Sequence, residues 1–183
     1  MSLRRKRALA IALSLAALLA AAGCGEEEHK SEVVEGEPIE LGEVEYNVQI
    51  TRFLNPSDPE DGEYLEGQQV PPPKPADSYL AVIIDVENKG DEEATLPAAA
   101  DLHVVDTTGE SYPPLTPTNV FMLDLGGKIG AGEELPEPDT AAASGATEGL
   151  IILFLVPAGI GANRPLELEI GAGGEEAKIE LDI

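Results

Sequence analysis

Hydrophobic and polar residues alternate along several short segments of this chain. The alternation is cleanest over residues 44–51, where every second side chain is apolar: Val44, Tyr46, Val48 and Ile50. Because successive side chains of a β-strand point to opposite faces, this period of two predicts a half-buried strand with these four residues on its buried face.

Continuous apolar runs predict two further strands. Residues 79–87 are apolar at most positions, and residues 150–156 are apolar throughout. Runs of this length are too short to cross a bilayer and are typical of central strands that are buried on both faces. Weaker or alternating patterns predict four more strands, at residues 102–105, 110–112, 166–170 and 179–183. The glycine-rich residues 171–174 predict a hairpin between the last two strands.

These short strands, with turn-forming residues between them and little predicted helix, indicate an all-β fold. We expect an immunoglobulin-like antiparallel β-sandwich of about seven strands. Residues 55–78 are rich in proline and acidic residues and predict a long loop. Residues 113–147 predict irregular structure, with either a short helix over 118–125 or a short strand over 121–125.

The N-terminus has the features of an export signal. Four basic residues at positions 4–7 precede an apolar run over residues 8–22, followed by Gly23 and Cys24. A cationic segment, a short apolar segment and small residues before the cleavage point are typical of a secretory signal peptide. The segment that ends at Cys24 resembles the bacterial lipobox, in which the cysteine is lipidated and becomes the first residue of the mature protein.

Cys24 is therefore the predicted lipidation site, and residues 1–23 are the predicted lipoprotein signal peptide. There are two alternatives. One is a plain secretory signal with a coincidental cysteine, and the other is twin-arginine export through Arg4 and Arg5. After cleavage, the acidic residues 24–37 predict a flexible tether, and residues 38–183 form the predicted sandwich domain.

The mature chain would be strongly acidic. Residues 1–23 hold four of the 11 basic residues and none of the 35 acidic ones, so their removal changes the formal charge from −24 to −28. Such a charge repels nucleic acid, which excludes DNA and RNA as partners. With Cys24 lipidated, no disulfide can form, and the sandwich must be stabilised by apolar packing.

Residue types that perform catalysis are sparse. His103 is the only histidine of the predicted domain, Ser144 lacks the Gly-x-Ser-x-Gly context of a hydrolase nucleophile, and Met122 is isolated from other copper ligands. We therefore expect no catalytic residue, no metal centre and no bound cofactor, and we predict that the protein is not an enzyme.

The acidic loop 55–78 contains the remaining candidates. Four acidic residues surround Gly62 in this loop: Asp58, Glu60, Asp61 and Glu63. Clustered carboxylates supply the oxygen ligands that calcium prefers, although this spacing differs from that of an EF-hand. The loop also contains the apolar pair Tyr64 and Leu65, which either folds back over the sandwich edge or contacts a partner.

Three landmarks resemble a family of immunoglobulin-like domains in bacterial exported proteins and lipoproteins. They are the run Y-L-A-V-I-I-D-V-E-N at 79–88, the turn D-T-T-G at 106–109 followed by Tyr112, and the run L-F-L-V-P at 153–157. Over residues 38–183 the chain is similar to the telokin-like fold and to the secreted mycobacterial immunoprotective antigen. The resemblance implies a fold and an extracytoplasmic location, and it implies no activity.

Together these features predict a lipoprotein that is anchored to the cell membrane through Cys24 and faces the cell surface or the periplasm. It would act as a non-catalytic binding or accessory module for a protein or envelope partner. The alternative is a solute- or calcium-binding lipoprotein that uses the acidic loop 55–78.

Overall fold

The computed structural model describes residues 31–66, 70–144 and 147–183 of the 183-residue chain. These ranges contain twelve strands, the α-helix α1 (Pro59–Tyr64) and two 3₁₀ turns (Ala99–Asp101 and Ile160–Asn163). The strands are β1 (Glu32–Val34), β2 (Ile39–Leu41), β3 (Val44–Leu54), β4 (Asp77–Asn88), β5 (Ala94–Thr95), β6 (Leu102–Val105), β7 (Ser111–Tyr112), β8 (Lys128–Ile129), β9 (Glu134–Leu135), β10 (Leu150–Pro157), β11 (Leu166–Ala172) and β12 (Glu175–Leu181).

The strands form two main sheets that pack as a β-sandwich. The first sheet has the order β1-β12-β11-β6-β7, and the second has the order β10-β4-β3-β2 with β9 also beside β4. Strands β5 and β8 form a small separate ribbon. The pairings between these strands are antiparallel except for the parallel pair β1 and β12. The predicted all-β sandwich is confirmed.

The central strand β4 is buried on both faces, as its continuous apolar run predicted. Alternate residues such as Leu80 and Val82 lie in the main core between the sheets. The intervening residues, such as Ala81 and Ile83, lie in a second apolar cluster on the outer face of the second sheet. Helix α1, which ends at Tyr64, and the loop that contains Phe121 cover this second cluster. They form a third, irregular layer on the outer face of the second sheet, called the outer layer below.

A β-bulge changes the predicted faces of β3. The pairing of β3 with β4 shifts register between Val48 and Ile50, so that one extra residue lies on the β3 side. Beyond the bulge, Thr51 is buried and Ile50 is 37% exposed. The prediction that Ile50 shares the buried face of Val48 is therefore wrong, because the bulge reverses the alternation.

The sandwich begins earlier in the chain than predicted. Strand β1 pairs with β12, with Val33 opposite Ile179, and the N–H of Gly36 donates to the carbonyl oxygen of Val48 at 2.9 Å. The predicted tether therefore overlaps the sandwich: residues 32–34 form β1, and residues 35–37 form the turn that leads from it toward β2. Residues 24–30 of the predicted tether lie outside the described residues.

The segment 113–147 contains no helix over 118–125 in the structure. It contributes β8 and β9, and two isolated bridges place Pro114 beside Phe154 and Met122 beside Ile151. These bridges cover the outer edge of β10, which is a long apolar strand and would otherwise be open to pairing with another chain.

The predicted C-terminal hairpin is confirmed with a shorter turn. Strands β11 and β12 pair from Leu166 opposite Leu181 to Ala172 opposite Glu175, so only two residues form the loop. These are Gly173 and Gly174, with φ of 61° and 90°. Two consecutive positive φ angles are typical of the type I′ turn that joins tight hairpins.

Candidate functional site

The acidic loop 55–78 begins with helix α1, and one of its carboxylates caps that helix. Asp58 precedes Pro59, and its side chain accepts hydrogen bonds from the N–H groups of Glu60 and Asp61 at 2.9 and 3.4 Å. An aspartate at this position followed by proline is a strong signal for the start of a helix. The sequence predicted a loop over residues 55–78 and missed helix α1, although Asp58 and Pro59 carry this signal.

A second carboxylate of the same cluster is buried in an ion pair. Asp61 is 5% exposed, and its side chain lies 2.6 Å from the guanidinium of Arg52. It also accepts a hydrogen bond from the backbone N–H of Asn55 at 2.7 Å. Asp58 and Asp61 thus have partners within the chain, and across residues 31–66, 70–144 and 147–183 no three Asp, Glu, His or Cys side chains are grouped to hold a metal ion.

Tyr64 folds back onto the sandwich. It is 6% exposed, packs edge-to-face against Phe121 with 5.0 Å between ring centroids, and lies under the guanidinium of Arg52 at 5.7 Å. Burial raises the pKa of the Tyr64 phenol. Of the two interpretations of Tyr64, the structure therefore supports the one in which it covers the sheet.

Asn119 joins the end of helix α1 to the loop that precedes β8. Its side-chain amide donates to the carbonyl oxygens of Tyr64 and Glu66, at 2.9 and 2.8 Å. Its side-chain oxygen accepts from the N–H of Phe121 at 2.9 Å. At the other end of loop 55–78, the hydroxyl of Tyr79 donates to the carbonyl oxygen of Pro71. The described parts of the outer layer are therefore tied to the sheet at several points.

Among the described residues, the large hydrophobic side chains that remain exposed are few. They are Val34 (49%), Ile50 (37%), Phe53 (40%) and Val120 (70%). Val120 lies beside an open cleft of about 520 Å³ that is lined by Leu135, Pro136 and Leu150, among others. A second cleft of about 410 Å³ lies between the neighbouring residues Asn119 and Met122 and the strand residue Ile151.

Ile50 and Phe53 lie on the part of β3 that β2 does not cover. Strand β2 pairs only with residues 44–46 of β3. Farther along, the N–H of Thr51 donates to a side-chain oxygen of Glu35 at 3.1 Å, and the other oxygen of Glu35 accepts from the N–H of Asp182, also at 3.1 Å. Glu35 thus connects the two sheets at this edge.

The outer face of the first sheet carries a row of charged residues. Lys178 lies 2.6 Å from Glu169 and 3.5 Å from Glu167, and the hydrogen bond to Glu169 raises the pKa of Lys178. His103 of β6 is directly opposite Glu169. Met122 bridges to Ile151 in the second sheet, and Ser144 lies in the loop before β10, so the structure does not bring these sequence-predicted candidates together with His103.

Cys24, the predicted lipidation site, lies outside the described residues, as does the predicted signal peptide. No helix within the described ranges combines the length and the apolar character needed to cross a bilayer.

The fold is similar to that of several bacterial proteins. The yjhA protein of Bacillus subtilis matches with a TM-score of 0.53 and 14% identity over 81% of this chain and 99% of its own. A candidate lipoprotein of the same species, ycdA, matches with a TM-score of 0.50 and 11% identity over 81% of this chain and 38% of its own. The secreted protein MPT63 of Mycobacterium tuberculosis matches with a TM-score of 0.43 and 11% identity over 85% of this chain and 99% of its own.

No protein-family model matches the chain, and no curated protein matches it. At the identities of these structural neighbours the similarity shows the fold alone.

Proposed function

We propose that this protein is a lipoprotein, anchored through Cys24 to the extracytoplasmic face of the cell membrane, and that it acts as a non-catalytic binding module. The signal-like N-terminus supports the anchor, and the neighbour ycdA, described as a candidate lipoprotein, is consistent with it. The partner is a protein or another component of the cell envelope.

The observation that carries the binding role is the uncovered end of β3. Ile50 and Phe53 are exposed there on a strand that pairs with β4 along its length but with β2 only at residues 44–46. Most other large apolar side chains of the described residues are packed in the two cores. The packing of the two cores does not require exposed apolar residues at this place, and apolar side chains beside a free strand edge favour an interaction site.

The anchor is tested by the substitution Cys24→Ala in the full chain. Each buried CH₂ of an acyl chain contributes about 0.8 kcal/mol, and two acyl chains make a stable anchor, so loss of the lipid is expected to release the protein from the membrane fraction. Fractionation and immunoblotting measure this, with Ser31→Ala as the control that leaves the lipobox intact. A Cys24→Ala protein of mature size that still sediments with membranes would show that the lipid anchor is absent.

The binding role is tested by capture from detergent-solubilised membranes, with the wild-type lipoprotein as bait. We expect a specific envelope protein that is not captured by an unrelated lipoprotein bait of the same abundance. If quantitative mass spectrometry finds the same proteins with both baits, the binding role is wrong.

A further inference from the structure

The edge of β3 is open beyond residue 48. On this side of the strand, β2 pairs with residues 44–46, and the last backbone–backbone hydrogen bond is the one from the N–H of Gly36 to the carbonyl oxygen of Val48. From Ile50 to Leu54, β3 pairs with β4 on one side, and no described strand lies on the other.

Two carboxylates mark the ends of this open edge. The N–H of Thr51 points away from β4 and donates to Glu35, and the N–H of Asn55 donates to Asp61. Backbone groups alternate in direction along an antiparallel strand, so the N–H and C=O of Phe53 point to the same open side. In the parts of the chain that the structure describes, no group is hydrogen-bonded to Phe53 on that side.

The exposed side chains of this edge lie on opposite faces of the sheet. Ile50 is opposite Ile83, which belongs to the outer apolar cluster, whereas Phe53 is opposite Leu80, which belongs to the main core. Residues directly opposite each other in a pair of strands share a face. An occupant that lies on one face of the sheet would contact only one of the two side chains, whereas a strand added along the edge would contact both.

The electrostatic surroundings favour a basic occupant. Glu35 flanks the edge, and Glu60, whose side chain is more than half exposed, lies beside it. Arg52 is the one basic residue of β3, and it is paired with Asp61 at 2.6 Å. A second copy of this chain would bring the same carboxylates and the same net negative charge to the edge, which opposes self-association.

We infer that the open edge of β3 binds an extended segment of a partner protein by strand addition. The segment would pair with the backbone of Phe53, place apolar side chains against Ile50 and Phe53, and carry lysine or arginine residues near Glu35 and Glu60. This inference rests on the proposed binding function and specifies the partner's chemistry.

The probe for this inference is a short capped peptide with a central run of valines flanked by lysines, which places valines on both faces of an added strand, and it is added to the full chain in neutral detergent micelles. Residue-resolved hydrogen exchange is expected to slow at the amide of Phe53, because a paired N–H exchanges only when the added strand dissociates. A control peptide of the same sequence with N-methylated valines keeps the charge and the apolar side chains and lacks the backbone donors of the valine run. It is expected to give no protection at Phe53.

Two matched variants locate the site. Ile50→Lys places a positive charge beside the peptide's lysines and removes an apolar contact, so it is expected to weaken peptide binding by at least about fivefold. Val120→Lys makes the same change of charge at the most exposed valine on a different part of the surface, and it is expected to leave binding unchanged.

Protection at Phe53 that requires peptide N–H groups and weakens with Ile50→Lys supports strand addition. Strand addition would be overturned if the peptide gave no protection of the Phe53 amide at low ionic strength, or if the N-methylated peptide gave equal protection. It would also be overturned if Val120→Lys weakened peptide binding more than Ile50→Lys does. Protection of Phe53 that grows with protein concentration in the absence of peptide would indicate self-association and would overturn it as well. If membrane capture finds a partner while the peptide gives no protection, the binding function stands and the strand-addition mode is wrong.

Discussion

Tyr46 and Thr51 carry buried hydroxyl groups for which the described part of the chain provides no hydrogen-bond partner. Tyr46 is 1% exposed within the main core, and burial raises the pKa of its phenol to about 12. A buried hydroxyl without a partner costs free energy relative to an apolar side chain of the same shape.

We therefore expect Tyr46→Phe to increase the free energy of unfolding by about 1 kcal/mol. The matched control is Tyr79→Phe, because the hydroxyl of Tyr79 donates to Pro71 and its removal is expected to decrease stability by about 1 kcal/mol. Denaturant titration of both variants measures the two changes. If Tyr46→Phe lowers stability as Tyr79→Phe does, the Tyr46 hydroxyl has a partner in solution, such as a buried water.

At single residues, the sequence predicted burial well until the backbone departed from regular geometry. The alternating pattern correctly placed Tyr46 and Val48 in the core. It placed Ile50 there too, because the bulge after Val48 leaves no trace in an unbroken alternation of apolar and polar residues. The residue that matters most for the proposed interaction was therefore the one the pattern assigned to the wrong face.

At the scale of elements, Asp106 joins two turns. One side-chain oxygen accepts from the N–H and hydroxyl of Thr108, at 2.8 and 2.6 Å, and the other accepts from the amide of Asn163 at 2.9 Å. Asn163 belongs to the 3₁₀ turn that precedes β11, whereas Asp106 follows β6. The hydrogen bond from the Thr108 hydroxyl has the largest effect on Asp106. Together with the hydrogen bonds from Asn163 and from two backbone N–H groups, it outweighs the opposing effect of burial and lowers the pKa of Asp106 from 3.8 to about 2.

Because the pKa of Asp106 is lower in the folded state, its carboxylate stabilises the fold at any pH above its unfolded value. This contribution is lost as the pH falls from about 4 to about 2. We expect Asp106→Asn to lower the thermal midpoint at pH 7 and to make the midpoint less sensitive to pH across this range. Asp91→Asn, a change at an exposed turn residue, is the control; an equal effect of the two substitutions would contradict the account.

The sequence predicted elements whose signals are local and missed those that depend on distant partners. The long strands β3, β4, β10 and β11 were found from their patterns, the turn at Gly173 was placed within two residues, and β12 begins four residues earlier than predicted. Strands β1 and β2 were missed because they are three-residue segments in an acidic stretch that become strands only by pairing with β12 and β3. The bridge at Met122 likewise forms only against the edge of β10.

At the scale of the whole molecule, the two long strands of the second sheet differ in how their edges are treated. The chain passes from the first sheet to the second between β1 and β2, and Pro114 and Met122 cover the edge of β10. The part of β3 beyond residue 48 has no described strand beside it, so another chain can add to the sheet there. The sequence alone predicted a binding module and offered loop 55–78 as a candidate surface, with a Tyr64 that either covers the sandwich edge or contacts a partner; in the structure Tyr64 is buried.

The central claim, that a partner binds at this edge, is tested most directly in living cells. A photo-reactive amino acid replaces Ile50 in the full, lipidated chain, and the control replaces Val34, which is at least as exposed but lies on the first sheet. After irradiation, immunoblotting of the membrane fraction is expected to show a discrete crosslinked species with the residue at position 50 and none at position 34. No crosslinked species at position 50, or the same species at both positions, would contradict the account.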